Sequence, residues 1–533
     1  MQILPRTLLA IALFAAAALV HARALDLGFT NWDDDDYVIR NAGIERLDAA
    51  RVREMFRPTS VVVGNWAPVT ILSLAVDYAL WERRPFGYHL TNLLLHAIAV
   101  VLLFLLLDRI LARGNPGTSP APAAIAAALF AIHPVQVESV AWVAERKNVL
   151  GMSLFLAAFL AWLRAAGSRW RPGAYAAFLL LYAAALLAKA QAVILPPLLL
   201  LYEWIERPPP RPSAQRCAAL LLPAFALAVG VGLVTIAAQQ SGAQMRPTHD
   251  FAGSVATAPT LVLGYVKDLL LPMSRAAILQ RPIYRTPGAP VPVATWLVII
   301  AWVAAVLAGR RERPHRAFFS LWFLGALAPV LNFVPLGVLA ADRYQYWASP
   351  GLFALAGLWT SRAWTRLKSW RRGFLAALGT AVLVMLAALT VARVEVWKDA
   401  VTLWSDAVRK APEDPVVRTN LSSALIVAGR SGEAIAHLRH ALLREPRSFR
   451  LRINLGVALL NLGRVEEAIL EGRAATGLNP KLPEAWLLYG TALEMRGRRA
   501  EAIDAFRRVT ELRPGDPAAT IHLRALGVEL ARP

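Results

Sequence analysis

The sequence predicts an all-α protein built as a polytopic membrane bundle followed by an α-solenoid. Three observations carry this expectation. Long apolar runs recur along the first three quarters of the chain. The hydrophobic share is 57% and the mean hydropathy +0.46, above the roughly half-apolar average of soluble domains. The last part repeats with a period of 34 residues, the mark of stacked helix pairs.

The apolar runs fall at residues 8–20, 90–107, 121–132, 149–163, 174–187, 193–201, 218–238, 291–307, 318–339, 347–358 and 374–391, which reads as 11 spans. Most approach the ~20 residues a helix needs to cross a bilayer. The first run starts after Arg6 and ends at Ala22-Arg23-Ala24. That triplet resembles a signal-peptidase site, but the run is read as an uncleaved first helix. The stretch 258–272 is apolar but short, carries Lys267 and Asp268 and ends at a proline. It is expected to be an interfacial or re-entrant helix within an outer loop, 239–290.

Four short segments, 164–171, 207–216, 310–316 and 362–372, are rich in arginine. Placing all four in the cytoplasm puts the N-terminus inside. The first loop, about 24–88, and everything after the last span then lie outside. Residues 395–533 hold 21 Lys+Arg against 17 Asp+Glu, so they contribute only +4 of the net +21. The rest sits in the membrane part, where basic loops explain it without a nucleic-acid partner. A single cysteine, Cys217, excludes an internal disulfide.

In the last part, Gly429, Gly463 and Gly497 are 34 residues apart, as are Ala434, Ala468 and Ala502, and Pro412, Pro446, Pro480 and Pro514. This is the tetratricopeptide (TPR) period and pattern. It gives a repeat domain over 395–533: a leading half-repeat at 395–411, three repeats, and a closing helix at 516–530. Stacked helix pairs present a concave groove whose usual ligands are peptides or partner domains. A plain spacer is the alternative.

Chemistry-bearing residues gather on the outer side of this topology. Asp33, Asp34, Asp35 and Asp36 stand side by side in a chain with only 36 acidic residues. Such crowding points to a base, a metal or a cationic substrate, against the plain reading of a solvated acidic loop. Also at outer ends are His133 and Glu138, followed by Arg146 and Lys147, then Lys189, then Arg343 and Tyr344. A carboxylate can act as general base on a hydroxyl, and arginine and lysine can neutralise a phosphate leaving group. The combination fits transfer from a lipid-linked, phosphate-bearing donor whose tail stays in the bilayer. The duller readings are that His133 caps a span end and that Arg146 and Lys147 anchor at the interface. Four adjacent carboxylates could hold Mg²⁺ or Mn²⁺, but the sequence requires no metal.

The early acidic pair, the block His133-Pro134-x-x-x-Glu138-Ser139-Val140-Ala141, the later Arg343-Tyr344 and the C-terminal repeats together resemble the transmembrane-and-TPR (TMTC) O-mannosyltransferases and their bacterial relatives. These are glycosyltransferases of the GT-C class. The resemblance implies a membrane bundle of GT-C type and a polyprenyl-phosphate sugar donor. It also implies an acidic catalytic residue in the first outer loop. The family's acidic pair precedes an apolar pair and an asparagine, here Val38, Ile39 and Asn41. That places the pair on Asp33 and Asp34, with Asp35 also a candidate because the run is four long. His133 and Glu138 match the second-loop motif, and Lys189 and Arg343 match basic positions facing the donor phosphate. Lys189 is followed by Ala-Gln-Ala, a departure from the animal pattern Lys-Glu-Gln-Gly.

The reading is an inverting enzyme that moves mannose or another hexose onto Ser/Thr hydroxyls of a protein held by the repeat groove. It would sit among membrane lipids, in the inner membrane if bacterial, with the acidic loop and repeats on the periplasmic or luminal side. The rivals are a transferase with a lipid or glycan acceptor, and a non-catalytic membrane-anchored scaffold.

Overall fold

The computed structural model of the chain describes residues 5–112, 117–166, 170–207, 213–241, 250–273, 276–334 and 336–528. Among these residues the fold is helical, with a lone two-residue bridge between Val62 and Asn65. The chain divides into two compact units, Met1–Asp399 and Ala400–Pro533.

In the first unit, Pro85–Ala112, Val143–Ala165, Ala214–Gln240, Pro290–Ala308 and Ser369–Glu395 are long and apolar enough to cross a membrane. A sixth joins them if Ala121–Ile132 and Pro134–Ala141, bent by 54°, count as one span. The 11 expected runs are therefore not 11 long helices. Run 318–339 is helical only over Pro314–Leu327, where Pro329 removes an amide donor, and ends in a short 3₁₀ turn. Run 193–201 breaks into a 3₁₀ turn and the seven-residue helix Leu195–Leu201, which starts on two prolines. Run 347–358 is helical from Ser349 onward, in the helix Ser349–Arg366.

The stretch expected as the first outer loop contains an apolar helix, Pro68–Trp81, in which Asp77 is buried. The expected short helix at 258–272 is longer, Phe251–Leu270. Its two ends bond to Asn332 and His133: Ser254 Oγ donates to the Asn332 carbonyl at 2.7 Å, and His133 Nε2 lies 3.0 Å from the Leu269 carbonyl.

Large side chains fill the centre of this unit. Phe104, Phe155, Phe159, Trp162, Phe318, Trp322 and Trp347 are fully buried. Gly357 marks the closest helix approach, since a Cβ there would meet the Pro122 carbonyl oxygen. Pro290–Ala308 and Ser369–Glu395, by contrast, leave most of their apolar surface uncovered, Leu297, Ile300, Phe374 and Val384 among it. Apolar helices with exposed faces need lipid rather than water around them. The unit is an integral membrane bundle.

The second unit is an α-solenoid of eight helices among the described residues, from Ala400–Lys410 to Pro517–Ala525. The periodic glycines end the first helix of each pair in the left-handed region, with φ of 75°, 70° and 80° at Gly429, Gly463 and Gly497. The amide that follows each one donates back across the turn: Arg430 to Leu425 O at 2.8 Å, Arg464 to Leu459 O and Arg498 to Leu493 O at 2.9 Å. This is a Schellman cap, which satisfies terminal carbonyls and turns the chain for the partner helix. Ala434, Ala468 and Ala502 are fully buried in the second helices. Positions 529 and 530 of the expected closing helix lie outside the described residues.

Residues 395–399, expected in the repeat domain, go with the membrane unit. The last membrane helix runs to Glu395. Trp397 is then buried 5.7 Å from Trp142, and the Gly28 amide donates to the Lys398 carbonyl at 3.0 Å.

A β-branched residue at a left-handed cap costs about 1–2 kcal/mol. Gly463→Val should lower the thermal unfolding temperature of the full detergent-solubilised chain, whereas Leu470→Gln, on an exposed face, should leave it in place.

Candidate functional site

The four adjacent aspartates have different surroundings. Asp34 is fully buried and accepts three hydrogen bonds, from Thr30 N and Thr30 Oγ1 at 2.9 Å and from Ala144 N at 2.8 Å. Burial pushes its carboxyl up to about 7 against the pull of those donors. Asp35 and Asp36 turn outward to Arg40, at 3.6 and 3.2 Å. Asp33 is mostly buried, and burial raises its pKa; the opposing charges are Lys147 and Arg343. Asp35–Ile39 form a π-helical turn closed by Arg40 N to Asp35 O at 2.7 Å.

The Ala144 amide that Asp34 captures lies in the 3₁₀ turn Val143–Glu145, just before the helix Arg146–Ala165. The turn splits three consecutive ionisable residues. Glu145 receives Lys189 Nζ at 3.0 Å, Lys147 Nζ at 3.2 Å and Asn148 Nδ2 at 2.7 Å, with Arg343 Nε 3.5 Å away. Arg146 points elsewhere. Its guanidinium donates to Asp77 Oδ2 at 2.6 Å, to the Tyr88 carbonyl at 2.8 Å and to Asn92 Oδ1. It thereby ties Pro68–Trp81 and Pro85–Ala112 to the following span in a buried ion pair.

Arg343 enters from the 3₁₀ turn Asp342–Tyr344. Its side chain and its own amide both bond Glu138, the amide at 3.0 Å. Three rings surround the guanidinium, with centroids at 5.5 Å for Trp32, 5.4 Å for Trp142 and 5.2 Å for Tyr344. Burial disfavours the charged form, yet Glu138, Tyr344 and Glu145 hold its pKa above the usual arginine value. Trp32 stacks on Trp142 at 4.4 Å. Lys147 lies 5.0 Å from the Tyr37 ring. Lys189 follows the helix Pro172–Ala188, and burial lowers its pKa to about 8, with Glu145 pulling the other way.

The structure thus gathers Asp33, Glu138, Lys189, Arg343 and Tyr344 around Glu145 and Lys147. It does not bring every candidate there. Asp35 faces Arg40, and Arg146 is held by Asp77. The His133 Nδ1 accepts from Val135 N at 3.2 Å, so Nε2 carries the hydrogen and donates to the Leu269 carbonyl; this is the cap position weighed from sequence. Among the described residues no three His, Cys, Asp or Glu side chains form a group that could hold a metal ion. Sequence reasoning passed over Glu145, weighed Lys147 only as an interfacial anchor, and passed over Asp77. The run Glu-Arg-Lys at a span end was a signal for the first two. A lone acid inside an apolar helix, which demands a buried cation, was the signal for Asp77.

In chemical terms this is a buried cluster of three cations, Lys147, Lys189 and Arg343, paired with Glu145 and Glu138 and walled by aromatic rings, with Asp33 beside it. Tetratricopeptide repeat models match residues 419–483 and 483–525. Over the longer chain, the protein O-mannosyl-transferase Tmtc3 of Drosophila melanogaster is 26% identical over 453 residues, covering 71% of this chain and 48% of its own. The human protein O-mannosyl-transferase TMTC1 is 24% identical over 436 residues, covering 72% and 48%. The chain is TMTC-like. Drosophila Tmtc1, also a protein O-mannosyl-transferase, reaches 32% identity over a shorter stretch, 34% of this chain and 21% of its own. The TMTC-like chain spans half or less of the length of these relatives. The two long matches exceed the repeat unit, so they extend into the membrane unit that holds the site.

Removing one partner of a buried ion pair costs about 3–5 kcal/mol. Asp77→Ala should therefore strongly destabilise the solubilised chain in thermal unfolding, while Arg40→Gln, whose pairs are exposed, should not.

Proposed function

We propose that the chain is an integral membrane glycosyltransferase that moves a hexose, mannose in the reading its relatives favour, from a polyprenyl-phosphate carrier to Ser/Thr hydroxyls of a protein recruited by the repeats. The observation that supports this most is the convergence of Lys147, Lys189 and Arg343 on Glu145, at 3.2, 3.0 and 3.5 Å, with the charges of Lys147 and Arg343 acting on the partly buried Asp33. Asp33 takes the proton from the acceptor hydroxyl. The acceptor oxygen bonds to the anomeric carbon as the bond from that carbon to the phosphate oxygen breaks. The phosphate leaves with the electron pair, and the configuration inverts. Arg343, Lys189 and Lys147 stabilise its charge, Arg343 with a planar fork matched to phosphate oxygens. Asp34, Glu138, Glu145 and Tyr344 hold the loop and the cations in place, and Arg146 and His133 fix the helices behind them. In this reading the acidic loop lies on the periplasmic or luminal side.

Asp33→Asn should lower the yield of hexosylated Ser/Thr peptides about a hundredfold or more, the usual weight of a general base. Asp35→Asn should stay within about threefold, because its ion pair is exposed. Glycopeptide mass spectrometry of cells carrying each variant reads both. Unchanged protein glycosylation with Asp33→Asn, alongside an altered lipid or glycan pool, would move the acceptor to those classes.

The pH profile has a definite sign. Asp33 acts deprotonated, so kcat/KM is lost as pH falls through a value that burial has raised from an aspartate's ordinary one. Lys189 acts protonated, so kcat/KM is lost as pH rises through about 8. Lys189→Arg should move the alkaline limb upward and leave the acid limb in place.

A further inference from the structure

We propose a second binding site, at the end of the bundle away from the acidic loop, for the phosphate headgroup of a multiply charged anionic lipid, formed by Arg313, Arg316, Arg362 and Arg366. The helix Ser349–Arg366 begins beside the candidate site, where Gln136 Nε2 donates to Ser349 Oγ at 3.0 Å. At 1.5 Å per residue its 18 residues run about 27 Å, close to the thickness of a bilayer core. Arg362 and Arg366 lie in its last turns, next to the start of the antiparallel helix Pro314–Leu327, which carries Arg316 and follows Arg313.

The charges acting on Arg316 are those of Arg362, Arg313 and Arg366, all of one sign. Its Nε is buried and has no hydrogen-bond partner. None of the four makes an ion pair among the described residues. Of the carboxylates nearby, Glu203 is held by Arg207 at 2.7 Å and Trp162 Nε1 at 2.9 Å, Glu206 by His315 at 2.7 Å, and Glu312 is exposed to solvent, paired with none of the four among the described residues. A topological preference for basic loops needs only positive charge near the cytoplasm. It does not explain guanidiniums crowded together around an unpartnered buried nitrogen. Four cations without a carboxylate leave repulsion that a bound phosphate would relieve through charge-assisted hydrogen bonds.

A lipid, rather than a soluble phosphate, is favoured by the level of the cluster. Trp359, three residues before Arg362, is 65% exposed, and Trp370 and Trp204 are also exposed. Exposed tryptophans beside basic residues are the usual mark of the headgroup region.

The test is lipid binding to the full detergent-solubilised chain, read by native mass spectrometry and thermal shift. The probes are cardiolipin, phosphatidylcholine and inorganic pyrophosphate. Wild type should bind cardiolipin in preference to phosphatidylcholine and be stabilised by it, and millimolar pyrophosphate should not displace it. Arg316→Gln/Arg362→Gln should weaken cardiolipin binding at least tenfold. Arg371→Gln/Arg372→Gln, which removes equal charge next to the cluster, should not. Without lipid, the Arg316→Gln/Arg362→Gln chain should unfold at the same or a higher temperature than wild type, since repulsion has been removed; a purely structural role predicts a lower one. Equal cardiolipin binding by that variant and wild type, or no preference over phosphatidylcholine, would overturn the proposal. Full displacement by pyrophosphate would overturn the lipid source.

Discussion

One buried carboxylate organises the candidate site. Glu145 is 1% exposed and faces Lys147, Lys189 and Arg343, which come from three separate segments of the chain. A buried anion loses several kcal/mol of hydration, which only close partners return. Each cation here has the same need. The arrangement is therefore mutual: without Glu145, three positive charges would press on one another inside the protein. With it, the turn Val143–Glu145, the end of Pro172–Ala188 and the turn Asp342–Tyr344 are drawn together. Glu138 on Arg343 and Asp33 on the rim complete the charge balance, so the site can gather cations without collapsing.

The same local geometry separates roles along the chain. Residues 145, 146 and 147 sit where a 3₁₀ turn becomes an α-helix, and each side chain leaves in its own direction. Glu145 and Lys147 face the cation patch, while Arg146 faces Asp77 and Asn92. A buried arginine paired with an aspartate inside an apolar bundle holds helices together. An arginine ringed by Trp32, Trp142 and Tyr344 brings its charge to the cluster around Glu145 instead. Residue type alone does not distinguish the two.

Much of the fold was legible because its signals are periodic. Gly429, Gly463 and Gly497 announce their own conformation, and the 34-residue register fixes the repeats. Apolar runs announced the bundle, but hydropathy does not say where prolines will break a helix, as at Pro329, or whether an apolar stretch such as Pro68–Trp81 belongs to a loop. In the site, the acidic run, Glu138, Lys189 and Arg343 were legible from residue type and position. The order among the aspartates was not. It depends on which side chain finds Ala144 N and which finds Arg40, contacts that cross more than a hundred residues in the first case and five in the second. Glu145 was overlooked because two of the cations it gathers, Lys189 and Arg343, come from later segments of the chain that its own short turn does not announce.

The π-turn over Asp35–Ile39 gives the acidic run an unusual tolerance. Loss of any one codon from the four-aspartate run would leave Thr30, the two inner aspartates and their four-residue spacing as they are. The missing residue would be taken from a wide turn that can tighten to an ordinary helical one. A change of length in the run would fall on the exposed, Arg40-facing side rather than on the anchor at Asp34. A chain one aspartate shorter would keep the chemistry at the inner end of the run in register.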